Sequence, residues 1–311
     1  MLSVLNGLKL NFFKEILFMD SKIFHYLKQL NLTSESTRSL FNIGTRDIED
    51  LKVWRDEVSG VIFIDDFYTG NDTYIDGSYR EDKVLLQTEK PDFERITDAN
   101  RRFNDNLKYV AGKKVADFGC GSGDFLRLIS PYCEDVKGVE LQQNYVDSLN
   151  ADGIHCVNDL DKIKDKSVDI FLSFHVIEHL PNPIETLSQI IKKTVSGGTV
   201  LIEVPHANDF LLSVVSNEPF KKFTLWSQHL VLHTRESLLR TLKFVGLEDI
   251  QIEGVQRYPL SNHLHWLANG KAGGHKSPLS VIDSKLLSDA YESSLARIDA
   301  TDTLVAIAKV P

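Results

Sequence analysis

The chain has 311 residues, 42% of them hydrophobic, so it can bury a sizeable core as one large domain or as one domain with additions. Its formal net charge is −9 with no Lys/Arg-rich run, which disfavours a nucleic-acid or anionic-membrane surface. Cys120, Cys133 and Cys156 have no metal-type spacing and suit a reducing cytoplasm, without disulfides or a zinc ribbon.

Residues 1–20 are apolar in patches interrupted by Lys9, Lys14 and Glu15, well short of the roughly 18 apolar residues of a membrane span. They lack the pattern of a secretory signal and read as a packed or interfacial helix of a cytoplasmic protein, with Met19 an alternative start. Helical periodicity comes next over Ile23–Leu30, then a β-like run at Gly60–Ile64 and a turn-rich aromatic stretch over 65–74. An amphipathic helix is expected over Phe93–Val110. From residue 113 the chain alternates strand and helix. The expected strands are Lys114–Phe118, Val136–Glu140, Ile154–Val157, Val168–Phe174, Thr199–Val204, Leu247–Glu253 and Thr303–Val310. The expected helices are Asp124–Tyr132, Asn144–Asn150, Pro183–Val195 and Arg235–Val245. This alternation predicts an α/β fold built from βαβ units around a mainly parallel sheet. About fifty residues between the last two strands have no strand signal and read as a functional loop or lid. The resulting division is an N-terminal helical and β-rich extension, 1–92, covering the active site, and a domain over 93–311 with a lid insertion at about 255–300.

The most informative segment is Asp117-Phe118-Gly119-Cys120-Gly121-Ser122-Gly123. It lies between a strand and a helix, where backbone N–H groups and a helix N-terminus approach a ligand and Gly119, Gly121 and Gly123 leave room for it. A dinucleotide site wants Gly-x-Gly-x-x-Gly, but the third glycine position is Asp124. An acid, Asp117, opens the motif instead. Glu140 closes the next strand, and its two oxygens can take both hydroxyls of a ribose.

These residues, together with Ser167-Val168-Asp169-Ile170, Ile177-Glu178-His179-Leu180-Pro181-Asn182-Pro183 and Ser196-Gly197-Gly198-Thr199, resemble class I S-adenosylmethionine (SAM)-dependent methyltransferases over roughly residues 95–255. The resemblance implies a Rossmann-like, seven-stranded sheet with helices on both faces, its last strand inserted antiparallel. The continuous apolar run Leu304–Ala308 suits such a buried strand. It also implies that Gly119–Gly123 lie under the methionine part of SAM, that Glu140, followed by Leu141, holds the ribose, and that Asp159 reaches the adenine amino group. Phe174 and His175 would line the pocket.

Eight of the ten histidines lie at or after residue 175, marking the acceptor half of the fold. His175-Val176-Ile177-Glu178-His179 matches the inverted zinc-protease signature, which requires a helix to put both imidazoles on one face. Here it succeeds a β-like run and ends at Pro181 and Pro183, so no metal is expected. In Trp226-Ser227-Gln228-His229, His229 resembles the histidine that small-metabolite methyltransferases place beside the methyl group. His229 is the candidate general base, with His175 the second catalytic candidate. Alternatively, His229 packs and holds its loop. Tyr79, Trp226, His263, His265 and Trp266 are substrate-side candidates, the last three beside a glycine hinge at Gly270–Gly274. Val53–Phe63 resembles half of the small zinc ribbon preceding some sugar C-methyltransferases, with Asp56 and Ser59 where cysteines would stand. The expected activity is SAM-dependent methylation of a small polar acceptor, a hydroxyl of a sugar, nucleotide sugar or polysaccharide precursor. N- or C-methylation and a non-catalytic SAM-binding protein are the alternatives.

Overall fold

Side-chain alternation along β-strand residues 170–174 sends Ile170, Leu172 and Phe174 into one apolar cluster and Phe171 into another, which Val168 joins before the register shift at Val168/Ile170, so this strand is covered on both faces. The computed structural model describes residues 22–65, 67–75, 77 and 92–311; Tyr79 lies outside them. The first elements are α1 (Lys22–Gln29), β1 (Arg38–Ile43), β2 (Lys52–Asp56), β3 (Ile62–Ile64), α2 (Asn71–Ile75) and α3 (Asp92–Val110). Then come β4 (Lys114–Phe118), α4 (Asp124–Ile129), β5 (Asp135–Val139), α5 (Gln143–Ala151), β6 (His155–Val157), β7 (Val168–Phe174), α6 (Pro183–Lys193) and β8 (Thr194–Pro205). The chain closes with α7 (Glu218–Thr224), β9 (Val231–Leu232), α8 (Arg235–Phe244), β10 (Glu248–Val255), α9 (Leu260–Asn269), α10 (Lys285–Arg297) and β11 (Thr303–Lys309).

Seven strands form one sheet in the order β10-β11-β8-β7-β4-β5-β6. β8, β7, β4, β5 and β6 are parallel, and β11 runs antiparallel between β8 and β10, as the resemblance implied. The register pairs Phe118 with Val139 and with Ser173, and Phe174 with Glu203. The carboxyl ends of four strands therefore finish level, and the segments leaving them face a common crevice.

A second, antiparallel sheet runs β1-β2-β3-β9. Its last strand comes from the C-terminal half: Val231 pairs with Phe63 and Leu232 with Ile62. Val61, Phe63, Leu230 and Val231 share a core with Ile23, Phe24 and Leu27 of α1. Asp56 is buried and accepts the N–H groups of Val58 at 3.0 Å and Ser59 at 2.8 Å and the Thr37 hydroxyl at 2.5 Å. A carboxylate and hydroxyls thus hold the turn where the zinc-ribbon resemblance would put cysteines.

The insertion before β11, expected as a loop, is helical. Pro259 precedes α9, Gly270 at φ 64° ends it, and Ser284 caps α10 through Leu287 N–H. Those terminators fix two helices despite the lack of strand signal. Among the described residues, no helix is long and apolar enough to cross a membrane.

Candidate active site

The glycine turn leaves β4 with Gly119, Gly121 and Gly123 at φ of 73°, 56° and 76°, in the left-handed region that favours glycine. A Cβ on Gly119 would lie 2.5 Å from Val176 Cγ2, and one on Gly123 would lie 2.2 Å from Leu149 Cδ2. The turn is therefore pressed against the exit of β7 on one side and α5 on the other. Glu140, buried at the end of β5, accepts Gly121 N–H at 2.8 Å and Gln142 N–H at 3.0 Å. Each oxygen keeps a further lone pair for a ligand hydroxyl. Asp117 is buried, with no hydrogen-bond partner for Oδ1. Burial, opposed by Arg102 and reinforced by Glu140 and Glu203, pushes its carboxyl up to about 8. One strand further out, exposed Asp159 spends Oδ1 on Asp161 N–H at 2.9 Å. Leu141 is exposed beside Glu140. Gly77 reaches the same edge, where a Cβ would lie 2.8 Å from Gln142 Oε1.

His175 comes directly after β7 in a left-handed conformation, φ 54°. Its Nδ1 lies 3.2 Å from Glu178 Oε1, and its Nε2 lies 3.2 Å from Glu203 Oε1 and 3.1 Å from Arg257 Nη1. Burial and the Arg257 charge work against protonation of this imidazole, but Glu178 and Glu203 prevail and its pKa is raised. Glu203, buried in β8, takes Arg101 through both oxygens at 2.9 and 2.8 Å and Arg102 Nη2 at 2.7 Å. Asp98 pairs with Arg257 Nε at 3.1 Å. Residues from α3, β8 and the insertion thus lock His175 into an ionic network. Such a network costs desolvation, and removing one partner strands the others.

The segment Ile177–His179 is a 3₁₀ turn, not a helix, so His175 and His179 do not share a face. The zinc-protease geometry is absent. What the turn does place together is Glu178, His179 and His229: one ligand-type atom from each lies within 4.8 Å of the others. The rings of His179 and His229 are 5.0 Å apart, and Trp226 stands edge-on to both at 5.7 and 5.2 Å. Glu178 is fully buried, and its Oε2 has no hydrogen-bond partner; neither has His229 Nδ1. Burial would raise the Glu178 carboxyl, but the hydrogen bond from His175 and the neighbouring imidazoles bring it down to about 2. Burial, then His179, holds His229 well below the ordinary imidazole range, so it is neutral at pH 7.

The N-terminal sheet fixes the loop that carries His229. Leu230 N–H donates to the Glu178 carbonyl at 2.8 Å, and Ile64 N–H donates to the Leu230 carbonyl at 2.9 Å. Asp47 accepts Ser227 N–H at 3.1 Å and the Ser227 hydroxyl at 2.5 Å. Arg46 N–H donates to the Leu225 carbonyl at 2.8 Å, and its guanidinium stacks on Trp226 at 4.1 Å.

The remaining sequence candidates have packing partners. Phe174 is buried edge-on to Phe125 at 5.2 Å. His263 is buried, bonded to the Tyr291 hydroxyl at 2.7 Å and stacked on Phe210. Trp266 is buried between Phe220 and Phe223, and His265 contacts the Lys271 carbonyl at 2.8 Å. Sequence reasoning missed the participation of Glu178, Glu203, Arg257 and Asp47. Glu203 did leave a signal, a carboxylate inside the apolar run Val200-Leu201-Ile202-Glu203-Val204.

The chain matches a family described as a methyltransferase domain over residues 88–252, more than half its length. It belongs to that family: it is a SAM-dependent methyltransferase. The Burkholderia pseudomallei ubiquinone biosynthesis O-methyltransferase is 24% identical over 170 residues, 49% of this chain and 72% of that one. Its Idiomarina loihiensis namesake is 27% identical over 168 residues, 48% and 67% of the two chains. A chain of the solved complex with the Haloferax volcanii Trm112 methyltransferase activator aligns with a TM-score of 0.50 and 18% identity, covering 78% of this methyltransferase and 98% of that chain.

The methyltransferase's own residues fit SAM. Asp117 is a buried carboxylate lacking a partner at one oxygen, at the foot of a glycine turn. A ligand that brings an ammonium group there would restore its charge and fill its free oxygen.

Proposed function

We propose that this methyltransferase methylates a hydroxyl of a small polar acceptor, a sugar or nucleotide sugar. In this reading Gly119–Gly123 cradle the methionine part of SAM, Asp117 faces its ammonium group, Glu140 takes the ribose hydroxyls and the free oxygen of Asp159 faces the adenine. Bound SAM supplies a methyl group already activated on a sulfonium, so the protein's main task is alignment, which can contribute several kcal/mol.

The observation that carries the acceptor assignment is the group at the exit of β7. Glu178 Oε2 and His229 Nδ1 are buried without partners, close to the turn that begins at Val176, which packs on Gly119. In this reading neutral His229 takes a hydrogen bond from the acceptor hydroxyl through its unpartnered Nδ1. His175, held by Glu203 and Arg257, orients Glu178. The β1-β2-β3-β9 sheet covers this side, and the acidic net charge favours a small acceptor over nucleic acid. The names of the relatives, which are O-methyltransferases, support oxygen as the acceptor atom.

The test is incubation with methyl-labelled SAM and a panel of nucleotide sugars, free sugars, phenols and amines, then mapping of the label. Label on an oxygen of a sugar-bearing acceptor is expected. Label on nitrogen or carbon, or binding of SAM with no transfer to any acceptor, contradicts the proposal.

A further inference from the structure

From the convergence of Glu178, His179 and His229 we infer that this methyltransferase binds a divalent first-row transition-metal ion at its acceptor side. The inference deepens the reading above, with His229 acting on the acceptor hydroxyl through the ion instead of accepting its hydrogen bond directly, and rests on that reading only for the identity of the acceptor. The ion would present open coordination positions to acceptor oxygens, favouring acceptors that offer two adjacent hydroxyls.

Three observations carry it. The donor set is two imidazoles and one carboxylate, the mixed nitrogen and oxygen set that suits zinc, iron, cobalt or nickel and leaves positions open for a further ligand. The donor atoms converge within 4.8 Å. Bonds of about 2.1 Å to a common ion need donors some 3 to 4 Å apart, so side-chain rotation of about an ångström completes the site. Two members of the cluster also each keep a buried atom without a hydrogen-bond partner, Glu178 Oε2 and His229 Nδ1, and such atoms are costly unless a ligand takes them.

The surrounding bonds prepare the donors. A carbonyl can only accept, so the 2.9 Å contact from His179 Nδ1 to the Gln228 carbonyl puts the proton on Nδ1 and leaves Nε2 with its lone pair. His175 holds Glu178 by Oε1, which also lies 3.8 Å from His179 Nε2, and Oε2 keeps its lone pairs. These are the orienting contacts that metal-binding imidazoles and carboxylates ordinarily have. Arg46, stacked on Trp226, is the positive charge such an ion must tolerate, and the Glu178 carboxylate within the cluster offsets it. His175 is no part of the set, because Glu203 and Arg257 occupy its Nε2. An acceptor hydroxyl bound to the ion would lose its proton more readily, as metal-bound water does.

The full-length protein, treated with a chelator and dialysed, is titrated with Co²⁺ alone while visible ligand-field absorption is monitored. One equivalent should bind. His179→Gln and His229→Gln should each weaken Co²⁺ binding by about tenfold or more, with unchanged thermal melts and unchanged SAM affinity. The exposed-site control His155→Ala should bind Co²⁺ like the wild type. Folded wild type that takes up no stoichiometric Co²⁺, or cluster variants that bind it as well as wild type, would overturn the inference. Turnover of a hydroxyl acceptor undiminished in excess chelator would overturn it too, leaving the proposed function intact. Co²⁺ bound at the cluster without methylation of any hydroxyl would instead uphold the metal site and remove the acceptor assignment.

Discussion

Leu230 donates its backbone N–H to the carbonyl of Glu178 at 2.8 Å, while its own carbonyl accepts Ile64 N–H at 2.9 Å. One residue therefore ties the exit of β7, the His229 loop and the N-terminal sheet into a continuous ladder. The N-terminal segment thus fixes the loop that carries His229.

Asp47 helps secure this loop from the N-terminal half. Asp47→Ala removes both its bonds to Ser227, which should cost about 1–3 kcal/mol of stability. Because the loop carries His229, turnover should fall while SAM affinity stays constant. Parallel titration calorimetry and initial-rate measurements check the split; equal loss in both would place Asp47 in the cofactor site instead.

Gly119→Ala puts a Cβ 2.5 Å from Val176 Cγ2 at a φ of 73°. The left-handed backbone alone costs a side chain about 1–2 kcal/mol, and the clash moves the turn. SAM affinity should drop at least about tenfold. Gly121→Val, at φ 56°, should abolish SAM binding measured by the same titration.

Glu140 offers its carboxylate to Gly121 and Gln142 on the protein side and, in the proposed binding mode, to a ribose on the other. Glu140→Ala should weaken SAM binding by about 1–3 kcal/mol, the range for losing charge-assisted hydrogen bonds. A SAM dissociation constant equal to wild type, in a variant with an unchanged melting temperature, would exclude the ribose role.

Asp117 sets a pH dependence. Its folded pKa, about 8, lies above the ordinary 3.8, so the neutral carboxyl's contribution is fully present below about pH 4 and is lost as pH rises toward 8. Without SAM, the melting temperature of wild type relative to Asp117→Asn should therefore fall between pH 4 and 8. Saturating SAM should recover part of it, since its ammonium favours the carboxylate. A difference between the two proteins that stays flat from pH 4 to 8 would show that the carboxyl titrates normally.

The sheet was legible because its signals are local. Apolar runs such as Leu304–Ala308, the turn Gly119–Gly123 and the capping residue Thr234 before α8 each act within a few residues. The loop around His229 was legible only as a histidine in a suggestive segment, because its anchors, Asp47 and Ile64, lie some 165–180 residues earlier in the chain. The role of Glu178 was hidden for another reason: its carboxylate meets His229 some fifty residues further along the chain, a contact that no local spacing announces. α10 escaped notice because its apolar residue Leu286 is exposed and only Leu295 is fully buried, which blurs the helical period.

The most direct test of the account is the turnover of His229→Ala at saturating SAM with a hydroxyl acceptor. Loss of a group that handles the acceptor hydroxyl should lower kcat by about 10²–10⁴-fold, with SAM affinity and melting temperature held. Full wild-type turnover in this variant would show that His229 only packs its loop, and the acceptor side would have to be sought elsewhere.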